Sequence, residues 1–205
     1  MRTNPSVALL CLLLTACATS AGAPAARIAE PEIAAAYLPL HARIHLGLDR
    51  AVGAAVVIAP GIGATNAHNA DLIDPKAVIG QVSDYDLLYF RTPDRSVAAT
   101  GEPVSGKAVT AYGQGIDGSL RIAHGVVRTI TNCAGCTVPA YFDFASDKHD
   151  AAGPGFSGGP VVDGAGHLIG ITFGYKDEGQ TRLVYAYAMS RVRAEFSALP
   201  QAPKS

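Results

Sequence analysis

Apolar positions along the chain fall in short runs broken by turn residues, and few stretches keep a helical period. Runs at 42–48, 52–58, 64–67, 77–82, 87–91 and 108–112 are followed by a second series at 120–130, 138–144, 160–162, 168–173 and 183–188. Strand-length runs at this spacing, with Asp-Gly, Pro-Gly and Ala-Gly breaks between them, predict an all-β barrel or sandwich. No long 3.6-residue period lies between the runs, which disfavours a parallel α/β sheet. Two short helices frame the strands. One is predicted over 31–39, where Pro31 sits at an entry position ahead of good helix formers. The other spans 189–198, which alternates in a helical way.

The start of the chain follows a different pattern. Arg2 precedes an apolar run over 7–14, then Thr15-Ala16-Cys17. A membrane span needs about twenty apolar residues, so this shorter run reads as a secretory signal. Leu14-Thr15-Ala16-Cys17 resembles a bacterial lipobox, which implies a signal over 1–16, lipid on Cys17 and anchorage in a membrane. Ala18 after the cysteine implies the periplasmic face of the outer membrane. The alternative is an ordinary signal peptide cut after a small residue, near Ala21-Gly22-Ala23. Residues 17–30, rich in Ala, Ser, Gly and Pro, are expected to form a flexible tether.

Composition narrows the function classes. With 16 basic and 17 acidic residues the net charge is −1, which gives no electrostatic footing for nucleic acid. Only 16% of residues are charged and 22 are Gly, unlike a disordered chain or a coiled coil. Of the 4 cysteines, Cys11 leaves with the signal and Cys17 is the lipid candidate. Cys133 and Cys136 remain, and in an exported protein they are expected to close a disulfide across a tight turn. A redox role is weaker, because Thr, Asn and Gly surround the pair. A zinc site is weaker still, because no second ligand pair lies nearby. His41 and His45, four apart, straddle a helix-to-strand junction, and no metal or cofactor is expected.

The stretch Gly153-Pro154-Gly155-Phe156-Ser157-Gly158-Gly159-Pro160 carries the chemistry. Glycines around a serine let the backbone turn sharply and aim two amides, those of Gly155 and Ser157, at one point. The bland reading is a Gly-rich hairpin turn, but two upstream segments weigh against it: Thr65-Asn66-Ala67-His68, and Asp86 leading the apolar run Leu87-Leu88-Tyr89-Phe90. An α/β-hydrolase elbow would need its acid and then its histidine after the serine. Only His167 follows, too close in the same hairpin to reach Ser157.

In this order, His68, Asp86 and Ser157 resemble the trypsin-like serine proteases, nearest the bacterial HtrA (Deg) branch, over roughly residues 43–190. The resemblance implies two packed six-stranded antiparallel β-barrels, with Ser157 as nucleophile, His68 as base and Asp86 orienting the imidazole. Gly155 and Ser157 would form the oxyanion hole, and Ala151, Ala152, Thr172, Phe173 and Gly174 the substrate pocket. No acidic residue is placed at the pocket base, so a small or medium apolar residue is expected before the scissile bond of a polypeptide substrate. The implied domains are 31–115 for the first barrel, 116–192 for the second, and 193–205 for a helix end and tail, with no PDZ domain following. Phe156 stands where the digestive branch has an Asp that pairs with a newly cut N-terminus, so zymogen cleavage is not expected and local loops must set the oxyanion hole. His68 and Asp86 are closer in sequence than in relatives, which leaves Asp84 as an alternative acid. It also leaves open an inactive binding module, or a structural envelope lipoprotein, as alternatives to an endopeptidase.

Overall fold

The computed structural model describes residues 20–43 and 50–200. The signal segment, Cys17, His45 and the 44–48 part of the first expected strand lie outside them. The first half is a five-stranded sheet in the order β2-β3-β4-β6-β5. It comprises β2 (Tyr37–Arg43), β3 (Arg50–Ala59), β4 (Ile62–Thr65), β5 (Val78–Val82) and β6 (Leu87–Arg91). The second half is a closed antiparallel barrel of β7 (Ala108–Gln114), β8 (Leu120–Asn132), β9 (Pro139–Asp147), β10 (Pro160–Asp163), β11 (Leu168–Glu178) and β12 (Thr181–Ala188), in which β9 returns to pair with β8. A two-residue strand, β1 (Ala23–Pro24), lies on the free part of β8. Helix α1 (Pro31–Ala36) precedes β2, and α2 (Met189–Ala198) follows β12.

The run of four buried residues in β6, Leu87 to Phe90, shows how the halves are joined. Successive strand side chains point to opposite faces. Leu87 and Tyr89 therefore enter a core with Val57, Ile58, Tyr112, Leu168 and Ile171 of both halves, while Leu88 and Phe90 pack with Leu40, Ala55 and Ile73 on the other face. Tyr89 also donates its hydroxyl to Val192 O at 2.7 Å, which fixes α2 across the first sheet. The barrel has its own core around Phe142, Phe144, Val161, Ile169 and Phe156. Burying each such side chain contributes about 1.5–3 kcal/mol.

The all-β architecture with a helix at each end is as expected from the sequence, though the first half shows five strands among the described residues where the resemblance implies a six-stranded barrel. Four further details differ. Run 108–112, assigned by its position to a first barrel ending at 115, is β7 of the second barrel. It is hairpin-paired with β8 from Gln114↔Leu120 to Ala108↔Val126, and a short turn can only join strands of one sheet. The passage between the halves therefore falls in 92–107. The helix expected to reach residue 39 stops at Ala36, because Pro39 denies the residue before it a helical backbone. His41 accordingly lies within β2, opposite Val52, rather than at a helix junction. Residues 20–30, tether-like in composition, pack on the barrel from Ser20 onward: Gly22 N–H donates to Ala151 O and Ala25 N–H to Leu120 O, each at 3.0 Å. Cys133 and Cys136 are disulfide-bonded in the β8–β9 connection, with Cα atoms 5.3 Å apart.

Candidate active site

β4 ends at Thr65, and the chain enters a 3-10 helix, Ala67–Leu72, that carries His68. Asp86 lies in the turn just before β6 and holds this helix with four acceptor contacts. Its carbonyl accepts from Asn66 Nδ2 at 3.1 Å and Ala67 N at 3.2 Å. Its carboxylate accepts from the His68 backbone N–H at 3.0 Å and from His68 Nδ1 at 2.5 Å. The amide of Asp86 donates to Tyr187 Oη at 3.1 Å, so a β12 residue of the barrel fixes the acid from behind. Burial raises the Tyr187 phenol above its ordinary value, which keeps it protonated. Asp84 is exposed and its carboxylate meets no partner among the described residues, so the geometry pairs His68 with Asp86.

Ser157 follows a sharp turn. Phe156 N–H donates back to Gly153 O at 3.0 Å, and Gly155 has φ +91°. With Pro154 fixing the first central φ near −65° and a positive φ at the second, residues 153–156 form a type II β-turn. A Cβ at Gly155 would lie 2.0 Å from Gln114 O, so only Gly fits there. Among the described residues the amides of Gly155 and Ser157 donate to no protein acceptor, whereas Phe156, Gly158 and Gly159 spend theirs inside the protein. Two unspent amides flanking the Ser157 side chain are the donor set an oxyanion needs.

One residue that the sequence reading passed over ties the two halves together at the serine. Asn69, buried beside His68, donates through Nδ2 to Ser157 O at 3.0 Å and to Thr65 Oγ1 at 2.9 Å. Thr65 Oγ1 donates to Ala54 O at 2.7 Å, and Ala54 N–H donates to Ser157 O at 2.9 Å, closing a ring around the nucleophile's carbonyl. The ring is tight enough to exclude Cβ atoms. One at Gly53 would lie 2.8 Å from the Asn69 amide, and one at Gly158 would lie 2.1 Å from Ala54 O. The readable trace of this arrangement is the i,i+4 spacing of Thr65 and Asn69, which carries no signal by itself.

His68 and Ser157 face one cavity of about 320 Å³. They make no direct hydrogen bond here; such bonds commonly shorten only when substrate is bound. Ala152, Gly153, Phe156, Thr172, Phe173, Gly174, Tyr175 and Val184 complete its wall with Pro154, and among the described residues no Asp, Glu, Lys or Arg lines it. Of the expected pocket residues, Ala151 alone is off the wall: it is buried behind, accepting from Gly22 N–H. Arg182, unmarked in the sequence, buttresses the wall. It donates to Ala152 O at 3.2 Å, stacks 4.1 Å over the Tyr175 ring and grips Asp177 with Nε and Nη2 at 2.5 and 3.1 Å. Hydrogen bonds from Arg182, helped by Lys148, pull the Asp177 carboxyl down to about 2.

Neither a protein-family model nor a curated protein matches this chain. Solved structures do match. The HtrA-type protease AlgW with tripeptide is similar at 19% identity and TM-score 0.63, over 81% of this chain and 60% of that one. The Rv3671c protease from M. tuberculosis, in its active form, is similar at 17% identity and TM-score 0.65, over 90% and 91%. The serine endoprotease from Yersinia pestis is similar at 17% identity and TM-score 0.61, over 84% and 67%. The chain thus spans less than two thirds of the AlgW chain. At these identities the likeness establishes the fold, that of the trypsin-like serine protease domains.

Proposed function

We propose that this chain is a trypsin-like serine endopeptidase of the bacterial cell envelope. The observation that carries the reading is the His68 Nδ1–Asp86 Oδ2 contact at 2.5 Å, behind a His68 that faces the same cavity as Ser157. Ser157 Oγ attacks the scissile carbonyl carbon while His68 takes its proton. Asp86 keeps the imidazole in the tautomer with its proton on Nδ1 and stabilises the cation that forms. The amides of Gly155 and Ser157 receive the developing oxyanion, each worth about 3–4 kcal/mol in the transition state. His68 then hands its proton to the leaving amine, and the acyl group on Ser157 is released by water activated in the same way.

The cavity wall supports a small or medium apolar side chain before the scissile bond: Ala152, Phe173 and Val184 offer contact, and among the described residues no carboxylate on the wall offers an ion pair. A library of peptides is expected to be cut after Ala or Val. Preferred cleavage after Arg or Lys would contradict this pocket assignment.

We place the enzyme on the periplasmic face of the outer membrane through lipid on Cys17. The support for this is the segment Leu14-Thr15-Ala16-Cys17, which lies shortly ahead of Ser20 in the sequence. Cys17→Ser in the full precursor is expected to lose membrane association. Continued fractionation with membranes after a salt wash would rule the anchor out.

A further inference from the structure

The segment just downstream of Cys17 reaches the back of the nucleophile loop and is held there closely. Ala23 pairs with Ile122 and Pro24 with Arg121 on β8. The Arg121 side chain then clamps the segment by its carbonyls: Nε donates to Ala21 O at 3.0 Å, while Nη2 donates to Ser20 O at 3.3 Å and also to Gly22 O. Ser20 Oγ accepts from Ile116 N–H at 3.1 Å.

What the clamped segment touches is the loop that leads into Ser157. Gly22 N–H donates to Ala151 O at 3.0 Å. A Cβ at Gly22 would lie 2.7 Å from the Phe156 ring and 2.7 Å from Ile122 O, and its φ of +67° is one that side chains rarely adopt. A Cβ at Gly153 would lie 2.8 Å from Ala21 Cβ. Ala151, Gly153 and Phe156 bracket the type II turn whose central peptide aims the Gly155 amide. The central peptide of such a turn can rotate with the ends in place, so what contacts at the ends determine is where the turn and its Gly155 amide sit against the barrel. The segment holds both ends, using packing and backbone hydrogen bonds alone.

We infer that residues 20–24 are a fixed strap that holds the oxyanion turn 153–156 in working shape, with Arg121 and Gly22 as its positioning residues. The inference rests on the serine protease reading for its catalytic consequence, but the strap itself is a statement about the turn and can be tested without activity. It makes hydrolysis depend on the stretch that joins the barrel to the anchor, so trimming that stretch would switch the enzyme off.

The test compares full-length wild type, Arg121→Ala and Gly22→Val by hydrogen exchange and by kinetics. Arg121→Ala removes only a partly exposed side chain, so it remains informative if Gly22→Val folds poorly. The amides of 151–157 are expected to exchange faster by about tenfold or more in both variants, with those of β3 and β6 unchanged. Peptide kcat and the rate of fluorophosphonate labelling are expected to fall by up to about 10²-fold, the loss seen when one oxyanion donor is misplaced, with KM little altered. Arg121→Lys, which keeps the charge but replaces the two donor nitrogens with one, is expected to fall between. Unchanged exchange across 151–157 in both variants overturns the strap, and so does faster exchange with kcat intact. A wild type that neither labels nor cleaves defeats the protease reading instead, and the exchange data still decide whether the strap holds the turn.

Discussion

At the scale of single residues, the site depends on groups that fix other groups. Asp86 uses both carboxylate oxygens on His68, and its own backbone is held by Asn66, Ala67 and Tyr187. Asp86→Asn preserves the shape but favours the wrong imidazole tautomer, so kcat is expected to fall by roughly 10⁴. Asp84→Asn, at an exposed position with no partner to lose, is expected to change kcat little. A steep loss in Asp84→Asn with a mild one in Asp86→Asn would move the acid upstream. Asn69 gives a second residue-scale expectation. Asn69→Ala removes a buried donor from Ser157 O and Thr65 Oγ1, at about 1–3 kcal/mol of stability. Asn69→Asp is expected to be worse, since a carboxylate would then face two acceptors. The order wild type, Ala, Asp in thermal midpoint and kcat checks the ring; an Asp variant equal to wild type would refute it.

At the scale of elements, the β8–β9 turn closed by Cys133 and Cys136 lies off the cavity wall, with Cys133 Sγ accepting from Arg191 Nη2 at 3.1 Å and from Tyr85 Oη at 3.7 Å. Its short loop should contribute about 2 kcal/mol on the loop-entropy model. The double variant Cys133→Ser/Cys136→Ser is therefore expected to lose about that much in denaturant unfolding while keeping its kcat; a catalytic loss with full stability would give the pair another role. Most strands could be read from the sequence because one or both faces are apolar and turn residues bound them, and β6 and β11 start where their apolar runs start. The assignment of β7 to the second barrel could not be read, because a strand's own residues do not say which sheet it joins; the hairpin pairing with β8 decides that. Residues 20–24 depart from the tether that their composition predicts for a related reason. Their small side chains suit a flexible linker, and they suit equally a strap that must lie within contact distance of Phe156. His68, Ser157 and the Gly155 turn were legible because each sits in a local motif. Tyr187, Asn69 and Arg182 act across long sequence separations and leave no local trace.

At the scale of the whole molecule, the two halves share one core, and several tyrosines are locked into it as neutral phenols. Burial raises Tyr37, Tyr89 and Tyr187 above their ordinary values, and pushes Tyr112, which also faces Glu30, up to about 12. Below the free-phenol value of about 10 these groups are protonated whether folded or not. Above it the unfolded chain releases protons that the folded chain keeps, so stability falls as pH rises from there. The thermal midpoint is expected to hold from neutral pH to about 9.5 and then drop, with the buried phenols titrating only as the fold opens. Ionisation of all 8 tyrosines in a still-folded chain would contradict the packing described. The central claim, that the cleft between the halves is a serine protease site, is tested most directly by intact-mass measurement after exposure to a fluorophosphonate. The account predicts a single adduct on Ser157 in the wild type and none in Ser157→Ala. A wild-type chain left unmodified, or an adduct that survives Ser157→Ala, would contradict it.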